Sequence, residues 1–201
     1  SAKMPKPRIY FVDLEIPNAF ATGRNENHAV IAVTKGILNL LNKEELRGVL
    51  AHEISHIKNK DILISSVAAT IAGAISFMAQ MFYFFGGDRD SRNNSNVFVS
   101  LALLILAPLM ASLLHLAVSR SREFGADKTG AQLAKDSNGL ASALQKLANY
   151  SKSNGLLPEP KYEATAHLFI VNPFKASTVV NLFSTHPPVE ERVKRLNSFI
   201  N

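Results

Sequence analysis

The chain has 201 residues, no cysteine and a formal net charge of +6. This length is enough to bury the core of one domain or of two small ones. The lack of cysteine excludes disulfide scaffolds and thiolate zinc sites. No cluster of Lys and Arg interleaved with aromatic residues is present, so we expect no nucleic-acid partner. The positive charge lies mostly beside two apolar stretches, which indicates a membrane surface instead.

The predicted elements begin with a small β-sheet. Three short strands rich in β-forming residues are predicted, at 8–13, 17–23 and 28–34. A short helix over 36–41 follows, and Asn42 and Glu45 then have the spacing of a capping box. We expect a helix to begin at Lys43 and to run into the first apolar stretch.

The segment His52-Glu53-Ile54-Ser55-His56 is an H-E-x-x-H sequence inside this helix. Histidines at i and i+4 lie on one helix face, about one turn apart, and can share one metal ion. Neutral imidazole binds zinc well, and a glutamate beside a zinc-bound water is the general base of metallopeptidases. We therefore predict that His52 and His56 bind Zn²⁺. Glu53 is expected to take a proton from the water and to deliver it to the leaving amine.

Two long apolar stretches dominate the middle of the chain. Residues 62–85 and 97–119 contain no Asp, Glu, Lys or Arg. A helix needs about 20 apolar residues to cross a bilayer core, so both stretches are long enough. We predict a transmembrane helical hairpin over 62–119, with a polar loop at 86–96. The alternative is a pair of buried helices in a soluble enzyme, but helices that are apolar all round are hard to bury in so small a protein.

The charges beside these spans predict their orientation. The loop holds two arginines, whereas six basic residues lie near the other ends of the spans: Arg47, Lys58, Lys60, Arg120, Arg122 and Lys128. Because basic residues favour the cytoplasmic side, we expect residues 1–61 and 120–201 to form a cytoplasmic zinc metalloprotease domain.

A catalytic zinc site needs a third protein ligand and one open position. The extended pattern H-E-x-x-H-x-x-G-x-x-H is excluded, because position 59 is Asn and position 62 is Ile. Glu123 and Asp127 share a helix face just after the second span. We predict that Glu123 binds the metal and that Asp127 accepts a hydrogen bond from a ligand histidine. The hairpin returns the chain to one membrane face, so Glu123 and His56 are both expected within about 10 Å of the membrane boundary.

The C-terminal part is predicted to be mainly helical. Helices are expected at 120–135 and 139–152, followed by a mixed, loop-rich region over 153–180. Pro187 and Pro188 begin a last helix with an apolar stripe formed by Val189, Val193 and Leu196.

Five stretches resemble the HtpX family of heat-shock membrane metalloproteases, within the gluzincin group that includes the CAAX prenyl proteases. These stretches lie at 17–23, 45–56, 119–127, 166–174 and 185–192. The resemblance implies an α+β, mostly α fold: a gluzincin core with a small N-terminal β-sheet and the transmembrane hairpin. It also implies a zinc endopeptidase of the bacterial inner membrane that faces the cytoplasm. Its expected substrates are misfolded or membrane proteins, and its role is quality control.

Family members usually carry two further membrane helices at the N-terminus. Their absence here agrees with a truncated chain, and an even number of missing spans leaves the orientation unchanged.

Three further site residues are candidates. His186 is expected to donate to the oxyanion, since related gluzincins place a histidine there, or else to contact backbone at a helix start. Asn18 and Arg192 are candidate substrate-binding residues. Asn18 can donate to a substrate bound as an added edge strand, or it is a turn residue after Pro17. Arg192 orients a site carboxylate or is solvated.

Two other functions remain open: a catalytically silent zinc-binding scaffold and a prenyl-CAAX-type protease. The intact Glu53 and the open coordination position argue against the scaffold. The CAAX proteases enclose their site in more membrane helices than this sequence offers. The metal can also be manganese or cobalt, because imidazole and carboxylate suit several ions. The sequence does not indicate an oligomeric state.

Overall fold

The computed structural model describes residues 4–23, 25–85, 94–154, 169–171 and 187–200. The chain forms two compact units. The main unit consists of residues 1–62 and 120–201, and the apolar unit consists of residues 63–119.

A three-stranded sheet lies at the start of the main unit. Its strands are β1 (Arg8–Val12), β2 (Ala19–Thr22) and β3 (Val30–Thr34), in the order β1-β3-β2. Strand β1 is parallel to β3, and β2 is antiparallel to it. The third strand begins later than predicted, because Glu26–His28 forms a 3-10 turn that the side chain of Asn25 caps. Among the described strands, β2 pairs with β3 alone, so it is an edge strand of this sheet.

Helices α1 (Lys35–Leu40) and α2 (Lys43–Lys58) follow the sheet. The predicted capping box at the start of α2 is confirmed. The Glu45 N–H donates to Asn42 Oδ1, and the Asn42 N–H donates to Glu45 Oε2, each over 2.9 Å. These two bonds satisfy backbone donors that the first turn of a helix leaves unpaired.

The expectation that α2 runs into the apolar stretch is wrong. Helix α2 ends at Lys58, and α3 (Asp61–Phe85) begins after a two-residue turn. Lys60 has a φ of 58°, in the left-handed region that stops a right-handed helix. The break puts Asp61 in the first turn of α3, where a carboxylate interacts favourably with the helix dipole.

Three more α-helices and a final 3-10 turn complete the described chain: α4 (Asn94–Ala134), α5 (Asn138–Asn154), α6 (Val189–Asn197) and the turn Ser198–Ile200. Helix α4 has 41 residues, so the predicted helix at 120–135 is the end of a longer one. Helix α6 begins after Pro188, as predicted, and buries Val193 and Leu196. Most of the predicted loop-rich region 153–180 lies outside the described residues.

The core of the main unit joins the sheet to three helices. Helix α2 packs against α5, and α5 packs against α6. The core is formed mainly by buried aliphatic side chains, among them Ile31, Val33, Val49, Leu140, Leu144 and Leu196. These residues hold α2, which carries the H-E-x-x-H segment, between the sheet and the later helices.

Two helices of the described part of the chain are long and apolar enough to cross a membrane. They cover Asp61–Phe84 and Leu101–Ala134, with mean hydropathies of 2.0 and 2.4 in their most apolar windows. Only 6% of each window is buried, which differs from the core helix of a soluble protein. A mostly helical chain with one small sheet and two such helices confirms the α+β, mostly α fold class.

Candidate active site

Three side chains from two helices converge on one point. Helix α2 provides His52 and His56, whose Nε2 atoms lie 3.1 Å apart. Helix α4 provides Glu123, whose carboxylate oxygens lie 3.7 Å from each of these nitrogens. Bonds of about 2.0–2.1 Å in a tetrahedral site separate ligand atoms by about 3.3–3.4 Å. The three residues therefore have the chemistry and the spacing to hold a metal ion.

Each histidine has a carboxylate at its other ring nitrogen. His52 Nδ1 lies 3.0 Å from Asp127 Oδ1, and His56 Nδ1 lies 2.6 Å from Asp61 Oδ2. A carboxylate at Nδ1 fixes the tautomer that leaves Nε2 for a metal. The sequence had predicted that Asp127 contacts a ligand histidine, and the structure places it beside His52. Asp61 was missed, although the sequence shows an acidic residue five positions after the second histidine.

Arg192 from α6 connects the two acidic residues of α4. It is fully buried, and its Nε and Nη2 donate to Asp127 over 2.9 and 2.7 Å. Its Nη1 lies 3.3 Å from Glu123 Oε2 and donates to the carbonyl of Ile170. The forked guanidinium contact fixes the orientation of Asp127. The side chain is not solvated.

The charges around the site alter the pKa values of His56 and Asp127, among others. Burial lowers the pKa of His56, but the hydrogen bond with Asp61 and the charges of Glu53 and Glu123 outweigh it and raise the pKa to about 9. Burial raises the pKa of Asp127, but Arg192 and His52 outweigh it and lower the pKa to about 2. A metal that binds at neutral pH therefore displaces a proton from His56.

Glu53 is buried between α2 and the edge of the sheet. Its Oε2 accepts a hydrogen bond of 2.8 Å from the backbone N–H of Ala21, in strand β2. This N–H does not pair with β3, so it belongs to the edge of β2 that no described strand covers. The bond brings the carboxylate next to an edge where an extended peptide can add as a further strand.

The other two candidate site residues are Asn18 and His186. Asn18 is buried just before β2, and its N–H donates to Thr34 Oγ1 over 2.8 Å. Its carbonyl accepts from the N–H and the hydroxyl of Thr34. The backbone of Asn18 thus helps to hold the start of β2. His186 lies outside the described residues.

A glycine allows α4 to approach the histidine pair. A Cβ at Gly130 would lie 3.0 Å from the Cα and N of His52 and 3.2 Å from the carbonyl carbon of Ala51. These atoms are backbone, so they cannot rotate away as a side chain does. The sequence showed only a glycine within a helical pattern, and it had no signal for what packs there.

Comparisons with known proteins agree with this geometry. The chain matches the model of peptidase family M48 over residues 1–200. It is 55% identical to a protease HtpX homolog of Persephonella marina, over 98% of this chain and 69% of that protein. It is 52% identical to a homolog of the same name from Desulforapulum autotrophicum, over 97% of this chain and 64% of that protein.

One solved structure has a similar fold. The crystal structure of S. mikatae Ste24p matches with a TM-score of 0.59 and 19% identity, over 96% of this chain and 45% of that chain. At this identity the match shows the fold alone. The family match and the relatives confirm the resemblance drawn from the sequence: the chain belongs to peptidase family M48.

Proposed function

We propose that the chain is a membrane-bound zinc endopeptidase. The observation that carries the proposal is the convergence of His52, His56 and Glu123, with Glu53 next to the first histidine. Two imidazoles and one carboxylate form a ligand set of catalytic zinc sites, which keep a fourth position open.

Each residue has a role in peptide hydrolysis. His52, His56 and Glu123 would hold the zinc ion, which when bound would acidify a water and polarise the scissile carbonyl. Glu53 takes the proton of the attacking water and transfers it to the leaving amine. The hydrogen bond from Ala21 keeps the Glu53 carboxylate at the edge of β2, where the substrate backbone binds.

The neighbouring charges position these groups. Asp61 and Asp127 each hold one histidine, and Arg192 holds Asp127 while it approaches Glu123. Because Arg192 is fully buried on these carboxylates, we assign it to positioning rather than to substrate contact. We keep Asn18 as a candidate that contacts the substrate, and His186 as the candidate oxyanion donor.

The two apolar helices and the HtpX relatives support a membrane protein. We propose that residues 62–85 and 97–119 span the bacterial inner membrane and that residues 1–61 and 120–201 form the catalytic domain on the cytoplasmic side. The proposed substrates are misfolded or membrane proteins. A prenyl-CAAX-type activity is the alternative, and cleavage of a prenylated peptide in preference to an unmodified one would favour it.

The decisive experiment replaces the proposed base. Glu53→Gln keeps the shape of the side chain but removes its basicity, so the variant is expected to bind zinc normally and to lose cleavage. A loss of about 10²–10⁴-fold is typical when a general base is removed. Zinc content is measured by elemental analysis, and cleavage is followed on casein and on a membrane protein in lipid vesicles.

The matched control is Glu44→Gln, which changes an exposed glutamate of the same helix. It is expected to keep both zinc and activity. Normal proteolysis by Glu53→Gln would refute the assignment of the base. Zinc binding by the unmodified protein with no turnover in detergent or in lipid would favour a silent scaffold instead.

A further inference from the structure

The carboxylate of Glu123 presents both of its oxygens to the histidine pair. Its Oε2 lies 3.7 Å from His52 Nε2, and its Oε1 lies 3.7 Å from His56 Nε2. A carboxylate can bind a metal ion through one oxygen or through both. Because the two distances are equal, the three ligand residues by themselves do not determine which of these modes Glu123 adopts.

A buried cation lies beside one of the two oxygens. Arg192 Nη1 is 3.3 Å from Glu123 Oε2, in an ion pair, and Arg192 Nη2 is 3.4 Å from His52 Nε2. The arginine side chain is fully buried, and Oε2 itself is closed off from solvent. Because water screens buried charges much less than exposed ones, the guanidinium attracts Oε2 strongly.

Other hydrogen bonds hold the guanidinium in place. Its Nε and Nη2 donate to Asp127 over 2.9 and 2.7 Å, and its Nη1 donates to the carbonyl of Ile170 over 3.3 Å. A forked contact of this kind fixes the plane of the guanidinium as well as its distance. The cation is therefore fixed on the Oε2 side of Glu123, next to His52.

This fixed charge makes the two oxygens of Glu123 unequal. A guanidinium repels a metal cation that approaches the same side of the carboxylate, and this repulsion is strong where the surroundings are buried. The guanidinium also draws electron density towards Oε2, which weakens that oxygen as a metal ligand. The side of His56 and Oε1 lies farther from the cation and is favoured for the metal.

We propose that Arg192 is the positioning residue that makes Glu123 bind the metal through Oε1 alone. The inference rests on the proposed function, because it concerns the same zinc site. One oxygen of Glu123 and two imidazoles make three protein bonds and leave the fourth position open for water. Binding through both oxygens would crowd the position that hydrolysis needs.

The test compares the metal environment of the unmodified protein with that of Arg192→Gln, which removes the cation and keeps a polar side chain. X-ray absorption at the zinc edge counts the nitrogen and oxygen neighbours of the ion. The visible spectrum of the Co²⁺ protein distinguishes a tetrahedral site from a five-coordinate one. Neither readout depends on turnover. The matched control is Lys194→Gln, which removes an exposed cation from the same helix.

The unmodified protein and the control are expected to show about four neighbours and the intense cobalt absorption of a tetrahedral site. Arg192→Gln is expected to gain about one neighbour, to bring the carboxyl carbon of Glu123 closer to the ion and to lose cobalt absorption severalfold. Arg192→Lys repeats the measurement if the glutamine variant does not fold. A single amine paired with Asp127 cannot also hold Oε2, so the same changes are expected.

Two results would overturn the proposal and leave the zinc site itself intact. Two Glu123 oxygens on the metal of the unmodified protein would show that Arg192 does not restrict the carboxylate. An unchanged neighbour count and cobalt spectrum in a folded Arg192 variant would show that the binding mode does not depend on the cation. A protein that binds no metal would instead refute the proposed function, and this inference with it.

Discussion

Gly130→Ala is expected to weaken metal binding although it replaces none of the proposed ligands. The added methyl would lie 3.0 Å from two backbone atoms of His52, closer than the 3.5–4.0 Å of a relaxed carbon contact. Helix α4 must therefore move away from α2 by a few tenths of an ångström or more. Glu123 lies on α4 two turns before Gly130, so this movement changes its distance to both histidines.

The expected loss of metal affinity is large because a metal site tolerates only small changes in its ligand distances. Ligand distances in such sites hold to about ±0.2 Å, so a shift of this size strains at least one bond. We expect an affinity loss of about 10–100-fold, as seen when the supports of metal ligands are altered. Crowding the helix contact should also cost about 1–3 kcal/mol of unfolding free energy.

The assay is zinc competition against a chromogenic chelator, with the Co²⁺ absorption spectrum as a report on site geometry. The control is Gly125→Ala on the same helix, where an added Cβ meets nothing within 4 Å. This control should keep its metal affinity and gain about 1 kcal/mol from better helix propensity. Normal zinc affinity and an unchanged cobalt spectrum in Gly130→Ala would refute the argument that the contact sets the ligand geometry.

Three further predictions concern charged residues of the main unit, two at the site and one at the start of α2. Asp61→Asn should weaken zinc binding by about tenfold in the same competition assay, because His56 loses its carboxylate; unchanged affinity would contradict this role. Arg192→Lys keeps the charge but not the forked contact with Asp127, so chemical denaturation should show a loss of about 1–3 kcal/mol. Burial raises the pKa of Glu45, but hydrogen bonds, the largest from Lys146, outweigh it and lower the pKa below 4.5. The ionised Glu45 therefore stabilises the fold above pH 4.5, and this stabilisation is lost as the pH falls through the lowered pKa. The difference in unfolding free energy between the unmodified protein and Glu45→Gln should accordingly close in acid and persist at neutral pH.

Local patterns predicted the elements that carry the site. The spacing of His52 and His56 follows from the helix period, and the capping box at Asn42 and Glu45 was visible as two residue types three positions apart. The same reasoning failed at the end of α2. The break depends on the left-handed backbone of Lys60, and lysine has no intrinsic preference for that conformation.

Contacts between residues far apart in the sequence were harder to predict. Asp61 could be seen as a carboxylate near the second histidine, but its bond with His56 required the turn at residues 59–60. Arg192 was recognised as a charge near the site, yet its complete burial between Asp127 and Glu123 depends on how α6 packs against α4. Residues far apart in sequence meet only when the core orders these helices.

By itself, the sequence determined the local chemistry of this protein: a histidine pair on one helix face, a glutamate between them, acidic residues one turn apart, and two apolar spans. Helix periodicity and hydropathy are properties of neighbouring residues, so a linear pattern is enough to predict them. Only the tertiary structure decided that Arg192 joins the site and that Gly130 lets α4 meet α2. These features depend on distances between separate elements, which packing alone determines.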